Sequence, residues 1–170
     1  ICIFVFRKKI FKENTISDFA VQDTASITRI FIADKNGHQC TLDKTPEGKW
    51  RVNGKYDVQG SKMQTLMDAI YRVRVKSPVP INERNDVIRI LATSIKVMIY
   101  KGDELVKVYY VGSETPDYLG TYMCMENAEE PMIAEIPGFN GYLTPRFLVR
   151  EGDWKSNTIV SVNPASISTV

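Results

Sequence analysis

The segment 48–80 constrains the fold most, because it joins a tryptophan-containing strand to the longest helical pattern in the chain. From Ser61 onward, apolar residues recur every three or four positions, which places them on one face of an α-helix. Ser61 opens a capping-box pattern, and Pro78 would end the helix because proline has no amide hydrogen. We therefore predict one long amphipathic helix, with sheet and loops arranged around it. The residues of its apolar face are Met63, Leu66, Met67, Ile70 and Val73.

Extended segments lie on both sides of this helix. They are rich in β-branched and aromatic residues, and an Asn-Gly pair at Asn36 favours a hairpin between the first two. A weaker helical pattern covers 85–91. Because strands follow one another through short connections, the expected class is α+β: a mainly antiparallel sheet with one long amphipathic helix and one or two short helices. The predicted strands are 27–33, 40–43, 49–52, 94–100, 105–111, 121–126 and 132–136.

The beginning of the chain differs in composition from the rest. Six apolar residues, 1–6, precede a cluster of four basic residues that ends at Lys12. This pattern is typical of the end of a membrane span with its juxtamembrane charges. The alternative is a short core or amphipathic segment, since six residues are far fewer than the ~20 that cross a bilayer. The charge rule assigns no orientation, because the other flank of the span is missing from the sequence. We interpret 1–16 as the remnant of a membrane anchor with its linker, and 17–160 as the α+β domain.

The net charge of +2 comes from this first segment. Without its four basic residues and Glu13, the chain holds 18 basic and 19 acidic side chains, out of 22 and 20. A nearly neutral body has no electrostatic footprint for nucleic acid, so we expect no nucleic-acid partner.

The end of the chain resembles an earlier segment. Residues 163–170 repeat the Ala-Ser-Ile core of residues 23–30, with similar residues around it. Three identities in eight positions also arise by chance. We interpret 161–170 as the start of a truncated second repeat of the domain.

The sequence contains little that would support catalysis. Its three cysteines are odd in number and widely spaced, which predicts neither a disulfide framework nor a zinc site. Cys40 and Cys124 are expected to be buried thiols, with a disulfide between them as the alternative. The single histidine, His38, follows a predicted turn and is interpreted as an exposed turn residue. We predict no catalytic residue, no metal site and no cofactor, and therefore no enzyme.

Two loops carry the residue types that anchor binding surfaces. The loop 112–120 and the strand after it supply acidic and aromatic residues, and a second loop supplies a tyrosine and an arginine. Tyrosine and arginine combine apolar area with hydrogen bonding, which suits an interface. The alternative is that the tyrosines cap the core of the sheet. The candidate binding residues are Asp117, Tyr118, Tyr122, Tyr142 and Arg146.

Three segments, 49–80, 95–125 and 136–148, are similar to a bacterial family called domain of unknown function 4340, in its Bacteroides-type form. The resemblance covers roughly residues 20–160 and rests on the tryptophan strand before the helix and on Val111-Gly112. It implies an envelope protein with an N-terminal membrane anchor and often a repeated domain. It also implies an association with auxiliary components of ABC-type transporters related to gliding machinery. It implies no known activity and assigns no functional residues to this sequence.

The resemblance and the residues together predict a non-catalytic envelope domain. We expect it to be anchored in the inner membrane, to lie in the periplasm, and to contact a protein partner of an ABC-transporter-like complex. The alternatives are a surface module that binds a glycan or peptide, and an enzyme. Glycan binding would also use exposed aromatic residues, so the candidate residues do not separate the two binding classes.

Overall fold

The computed structural model describes residues 18–156. The predictions for 1–16 and 161–170 lie outside the described residues. Within them, nine strands form one antiparallel sheet. The strands are β1 (Arg29–Ala33), β2 (Gln39–Lys44), β3 (Trp50–Val52), β4 (Tyr56–Asp57), β5 (Arg74–Pro78), β6 (Ile95–Lys101), β7 (Glu104–Glu114), β8 (Thr121–Met125) and β9 (Met132–Glu135). The helices are α1 (Gly60–Arg72), α2 (Arg84–Ala92) and α3 (Glu151–Trp154), with 3₁₀ turns at Thr24–Ser26 and Thr144–Arg146.

The predicted fold class, which placed one long amphipathic helix at the centre, is wrong. α1 has only 13 residues and ends at Arg72, and the residues after it form β5. From Val73 onward, valines alternate with charged residues, and this period of two suits a strand. β9 pairs with that strand, so a sheet ladder replaces the predicted last turns of the helix. The organising element of the described chain is therefore the nine-stranded sheet, accompanied by three short helices.

The strand order is β4-β3-β2-β1-β6-β7-β8-β9-β5. β7 is the longest strand, with 11 residues, and it extends three residues beyond its predicted end at Val111. Gly112 therefore lies inside the strand. A Cβ atom at this position would lie 3.1 Å from Leu91 Cδ2 and 3.0 Å from the carbonyl oxygen of Tyr122, so glycine permits the close packing of α2 on the sheet.

The main core lies between one face of the sheet and α1. Leu66 and Ile70 of α1 are fully buried there, together with Val97, Ile99 and Tyr109 of β6 and β7. The apolar face of the helix and the alternation of the strands predict a core of seven residues, and these five are confirmed. Two others expected there are only half-buried: Trp50 lies in the three-residue strand next to an edge of the sheet, and Ile95 is the first residue of β6.

α2 covers part of the opposite face of the sheet. Val87 and Leu91 of this helix form a smaller buried cluster with Val79 and Tyr122. The part of this face over β1, β2 and β6 is left more open, with Phe31, Thr41 and Met98 only half-buried.

Cys40 and Cys124 are both free thiols, so the disulfide alternative does not hold. They lie on opposite faces of the sheet: Cys40 belongs to the core under α1, and Cys124 packs against the cluster under α2. Burial raises the pKa of Cys40 to about 12, and it also raises the pKa of the half-buried Cys124. Both thiols are therefore poor nucleophiles at neutral pH.

The two edges of the sheet are short or interrupted. β4, at one edge, has two residues, and an isolated bridge between Val58 and Lys155 follows it. β5, at the other edge, has a register shift between Val75 and Ser77 and ends at Pro78.

Candidate functional site

The two loops that carry the candidate residues meet at one end of the sheet. β7 and β9 both run antiparallel to β8, so both strands end at the same side. The loop 115–120 follows β7 and the loop 136–147 follows β9. Two hydrogen bonds tie the second loop to the strands beside the first. The Leu143 amide donates to Thr121 Oγ1 at 2.7 Å, and the Thr144 hydroxyl donates to the Gly112 carbonyl at 2.6 Å.

The first loop is a tight turn held by Asp117. Its Oδ1 accepts hydrogen bonds from the Thr115 hydroxyl at 2.5 Å and from the Leu119 amide at 3.0 Å. The hydrogen bond from Thr115, followed by that from Leu119, holds the pKa of Asp117 below its usual range, so the carboxylate is ionised at neutral pH. The Tyr118 amide donates to the Thr115 carbonyl at 2.8 Å. Asp117 thus fixes the turn that presents Tyr118.

Tyr118 has a backbone conformation that tyrosine rarely adopts. Its φ is +59°, in the left-handed region, while 59% of the residue is exposed. Turns of this kind favour glycine or asparagine there, because a side chain makes the left-handed conformation costly. Asn53 also has a positive φ, of +51°, but its side chain bonds the Thr41 amide and Glu151. Tyr118 is thus an exposed residue in an unfavourable backbone conformation, a combination that makes it a candidate functional residue.

The second loop brings further apolar and charged groups to the same place. The rings of Tyr142 and Tyr118 lie 6.2 Å apart, inclined at 57°. The Arg146 guanidinium lies over the ring of Phe139, 4.4 Å from its centre, and 3.9 Å from a carboxylate oxygen of Asp68 in α1. This stacking and pairing fix the orientation of the arginine.

The core and α1 hold the second loop in place. Leu143 and Phe147 are buried, and the Phe147 ring packs edge-on against Tyr109 with centres 6.2 Å apart. Arg72 donates to the Pro137 carbonyl at 3.1 Å and lies 3.6 Å from Asp68. The loop is thus a fixed support for the exposed Phe139 and for Tyr142 and Arg146, which are half-buried.

We call this surface the aromatic tip and define it by Tyr118, Leu119, Phe139, Tyr142 and Arg146. Of the predicted site residues, Tyr118 and Tyr142 are in ring contact, Arg146 lies on the same loop as Tyr142, and Asp117 fixes the turn that carries Tyr118. Tyr122 is not part of the exposed surface: it is 5% exposed and packs under α2, as the core-capping alternative expected. A small cleft of about 260 Å³ lies between Tyr122 and Tyr118.

Leu119 and Phe139 were missed from the sequence. They are 43% and 37% exposed. Phe139 stands between turn-forming residues in the Pro-Gly-Phe-Asn-Gly stretch, where a large apolar side chain is unusual. That contrast was a usable signal of an exposed aromatic group.

Other kinds of site receive no support in residues 18–156. No group of three His, Cys, Asp or Glu side chains in this range is placed to hold a metal ion. His38 is 39% exposed, and its Nδ1 lies 2.9 Å from Asp34 Oδ2 within the β1–β2 turn. None of the helices in the described range is long and apolar enough to cross a membrane. Comparison with known proteins found no matching family model, no matching curated protein and no matching solved structure.

Replacing Tyr118 with glycine is expected to leave the free energy of unfolding unchanged or to raise it by up to about 1 kcal/mol. Removing the left-handed strain favours the folded state, while the added chain entropy of glycine offsets part of that gain. Tyr142→Gly is the matched control, since Tyr142 has no positive φ and should lose about 1 kcal/mol or more. Urea unfolding measures both variants. A larger loss for Tyr118→Gly than for Tyr142→Gly would show that the tyrosine is a structural residue.

Proposed function

We propose that this chain is a non-catalytic envelope domain, held at the inner membrane by an anchor of which residues 1–16 are the remnant, and that it binds a protein partner through the aromatic tip. The partner we propose is a component of an ABC-transporter-like complex. The observation that carries the binding role is the exposed and strained Tyr118, packed beside Tyr142. Strain at an exposed residue is retained where the residue has a function outside the fold.

The composition of the tip supports a protein partner. Tyrosine and arginine are enriched among the residues that contribute most to protein interfaces, because each buries a large area and also forms hydrogen bonds. Binding would cost these residues little conformational freedom. Hydrogen bonds to Asp117 hold the turn that carries Tyr118, and Arg146 is already stacked on Phe139. A surface that is ordered before binding lowers the entropic cost of association.

The sequence supports the location and the class of partner. The apolar run followed by basic residues at 1–12 is typical of a membrane anchor, and the resemblance to the 4340 family implies an envelope protein near transporter components. The near-neutral charge of the remaining chain suits a protein interface better than a nucleic-acid interface.

The test is affinity purification of the full-length anchored protein from membranes of its own cells, with and without the tip. We expect a transporter component to be recovered with the wild type and to fall at least tenfold with the Tyr118→Ser/Tyr142→Ser variant, since losing two interface anchors costs several kcal/mol. The control is Tyr56→Ser, because Tyr56 is 43% exposed and lies in β4, at the sheet edge far from the tip.

Two outcomes would overturn the proposal. Equal recovery of the transporter component with the wild type and the tip variant would show that the partner does not bind through the tip. Recovery of no transporter component, together with binding of a purified glycan that the tip variant loses, would assign the tip to glycan recognition instead.

A further inference from the structure

We infer that the cleft between Tyr118 and Tyr122 holds a basic side chain, an arginine or a lysine, of the protein partner. This inference rests on the proposed function, because it names the group of the partner that binds beside the aromatic tip. The cleft has a volume of about 260 Å³. Sites for small molecules usually have volumes of about 300–1,000 Å³. The cleft therefore suits the end of one side chain better than a whole small molecule.

Tyr122 supplies a polar group that the fold leaves without a partner. The residue is only 5% exposed, yet it lines the cleft. Its hydroxyl makes no hydrogen bond with any residue in the range 18–156. A hydroxyl that is removed from water and stays unpaired destabilises the protein. The oxygen can accept a hydrogen bond from an N–H group of a guanidinium or ammonium ion, which would offset that cost.

Carboxylates surround this hydroxyl. Glu114 lines the cleft, is half-buried and forms no ion pair with another described residue. Burial raises the pKa of Tyr122, and the negative charges of Glu83 and Asp117 raise it further. Both carboxylates therefore act at the position of the hydroxyl. A positive group that entered the cleft would be attracted by all three acidic residues.

The basic residues near the cleft are engaged elsewhere. No basic side chain of the described residues lines the cleft itself. Lys76 is near Asp117, but its ammonium lies 3.6 Å from a carboxylate oxygen of Glu135. Arg84, at the start of α2, lies 3.2 Å from a carboxylate oxygen of Glu130. The negative charge around the cleft is thus left for a ligand to neutralise.

The walls of the cleft suit the rest of a basic side chain. Tyr118 lines the cleft with a ring that is also open to solvent. A cation within about 6 Å of the centre of a tyrosine ring is attracted by the electrons of the ring face. Ile90 and Pro116 provide apolar surface for the aliphatic stem of arginine or lysine. The cleft therefore combines a carboxylate, an aromatic ring and a free hydroxyl, all of which bind a basic group.

Titration of the full chain of 170 residues, followed by nuclear magnetic resonance, tests the inference. The probes are the N-acetyl N-methylamides of arginine, lysine and citrulline, because citrulline has nearly the shape of arginine but no charge. Shifts of the ring signals of Tyr118 and Tyr122 report binding in the cleft. We expect the arginine and lysine probes to bind at least fivefold more tightly than the citrulline probe, because hydrogen bonds to a charged group are stronger.

Glu114→Gln removes the charge that lines the cleft and keeps the shape of the side chain. We expect this variant to bind the arginine probe at least threefold more weakly and the citrulline probe unchanged. The matched control is Glu104→Gln, at the other end of β7, where Glu104 is exposed and forms no ion pair with a described residue. The control should bind both probes as the wild type does.

Equal affinity for the arginine and citrulline probes would overturn the inference, as would equal effects of the two variants. The absence of ring shifts with every probe would overturn it as well. These results would leave the proposed function in place, because a protein can bind the aromatic tip without entering the cleft. Tight binding of the arginine probe by a protein that recovers no transporter component would overturn the proposed partner and support the cleft as a site for a basic group.

Discussion

Replacing Trp154 with alanine is expected to lower the free energy of unfolding by about 3–5 kcal/mol, the usual cost of removing a large aromatic group from a core. Trp154 is fully buried in the core under α1, and its Nε1 donates to the Leu148 carbonyl at 3.0 Å. Its own carbonyl accepts from the Gln59 amide at 2.8 Å, just before α1. The backbone of Trp154 thus joins the last described helix to the start of α1, and its side chain fills the core and bonds the segment before that helix. Urea unfolding, followed by circular dichroism, measures the change.

Trp154→Phe separates the two contributions of this residue. Phenylalanine keeps much of the apolar contact but removes the indole donor from the Leu148 carbonyl, which keeps only the weak Cys40 thiol donor at 3.5 Å, so a loss of about 1–3 kcal/mol is expected. The loss for alanine should be clearly larger. A loss below about 1 kcal/mol for Trp154→Ala would contradict its place in the core.

Replacing Leu66 with alanine is expected to cost about 2–5 kcal/mol. Leu66 lies in the middle of α1 and is fully buried against the sheet. The matched control on the same helix is Gln64→Ala, because Gln64 is exposed and alanine suits a helix at least as well. That variant should change the free energy of unfolding by less than about 0.5 kcal/mol. Similar values for the two variants would show that α1 does not cover the core.

The apolar spacing predicted the position of α1, and local pattern predicted most of the strands. The predicted capping box at Ser61 is wrong, since the N-cap is Gln59 and makes no side-chain hydrogen bond. The end of α1 depended on a distant partner. The helical spacing from Met63 to Ile70 is confirmed, since both residues are buried on one face. Beyond Val73 the sequence fits both a helix and a strand. The choice was decided by β9, which pairs with β5 from about 60 residues further along the chain.

The candidate site was predictable in composition and less so in geometry. Residue type identified Tyr118, Tyr142 and Arg146. The two loops come together because β7 and β9 end at the same side of β8. This could not be predicted, because no single segment of the sequence determines the order of the strands. Nothing in the sequence predicts the positive φ of Tyr118, because this conformation is normally adopted by glycine and not by tyrosine. Tyr122 was misjudged because its strand alternation does not reveal that α2 covers that face.

The short and interrupted edges of the sheet affect how neighbouring copies of the domain interact when they are held close together. A domain tethered to a surface, as proposed here, meets its neighbours at a high effective concentration. Long open edges would then join sheet to sheet and polymerise. β4 offers two residues for such pairing, while the irregularity between Val75 and Ser77 and the ring of Pro78 break the ladder along β5. Copies of the domain brought side by side, as the proposed anchor would bring them, are therefore expected to remain separate units.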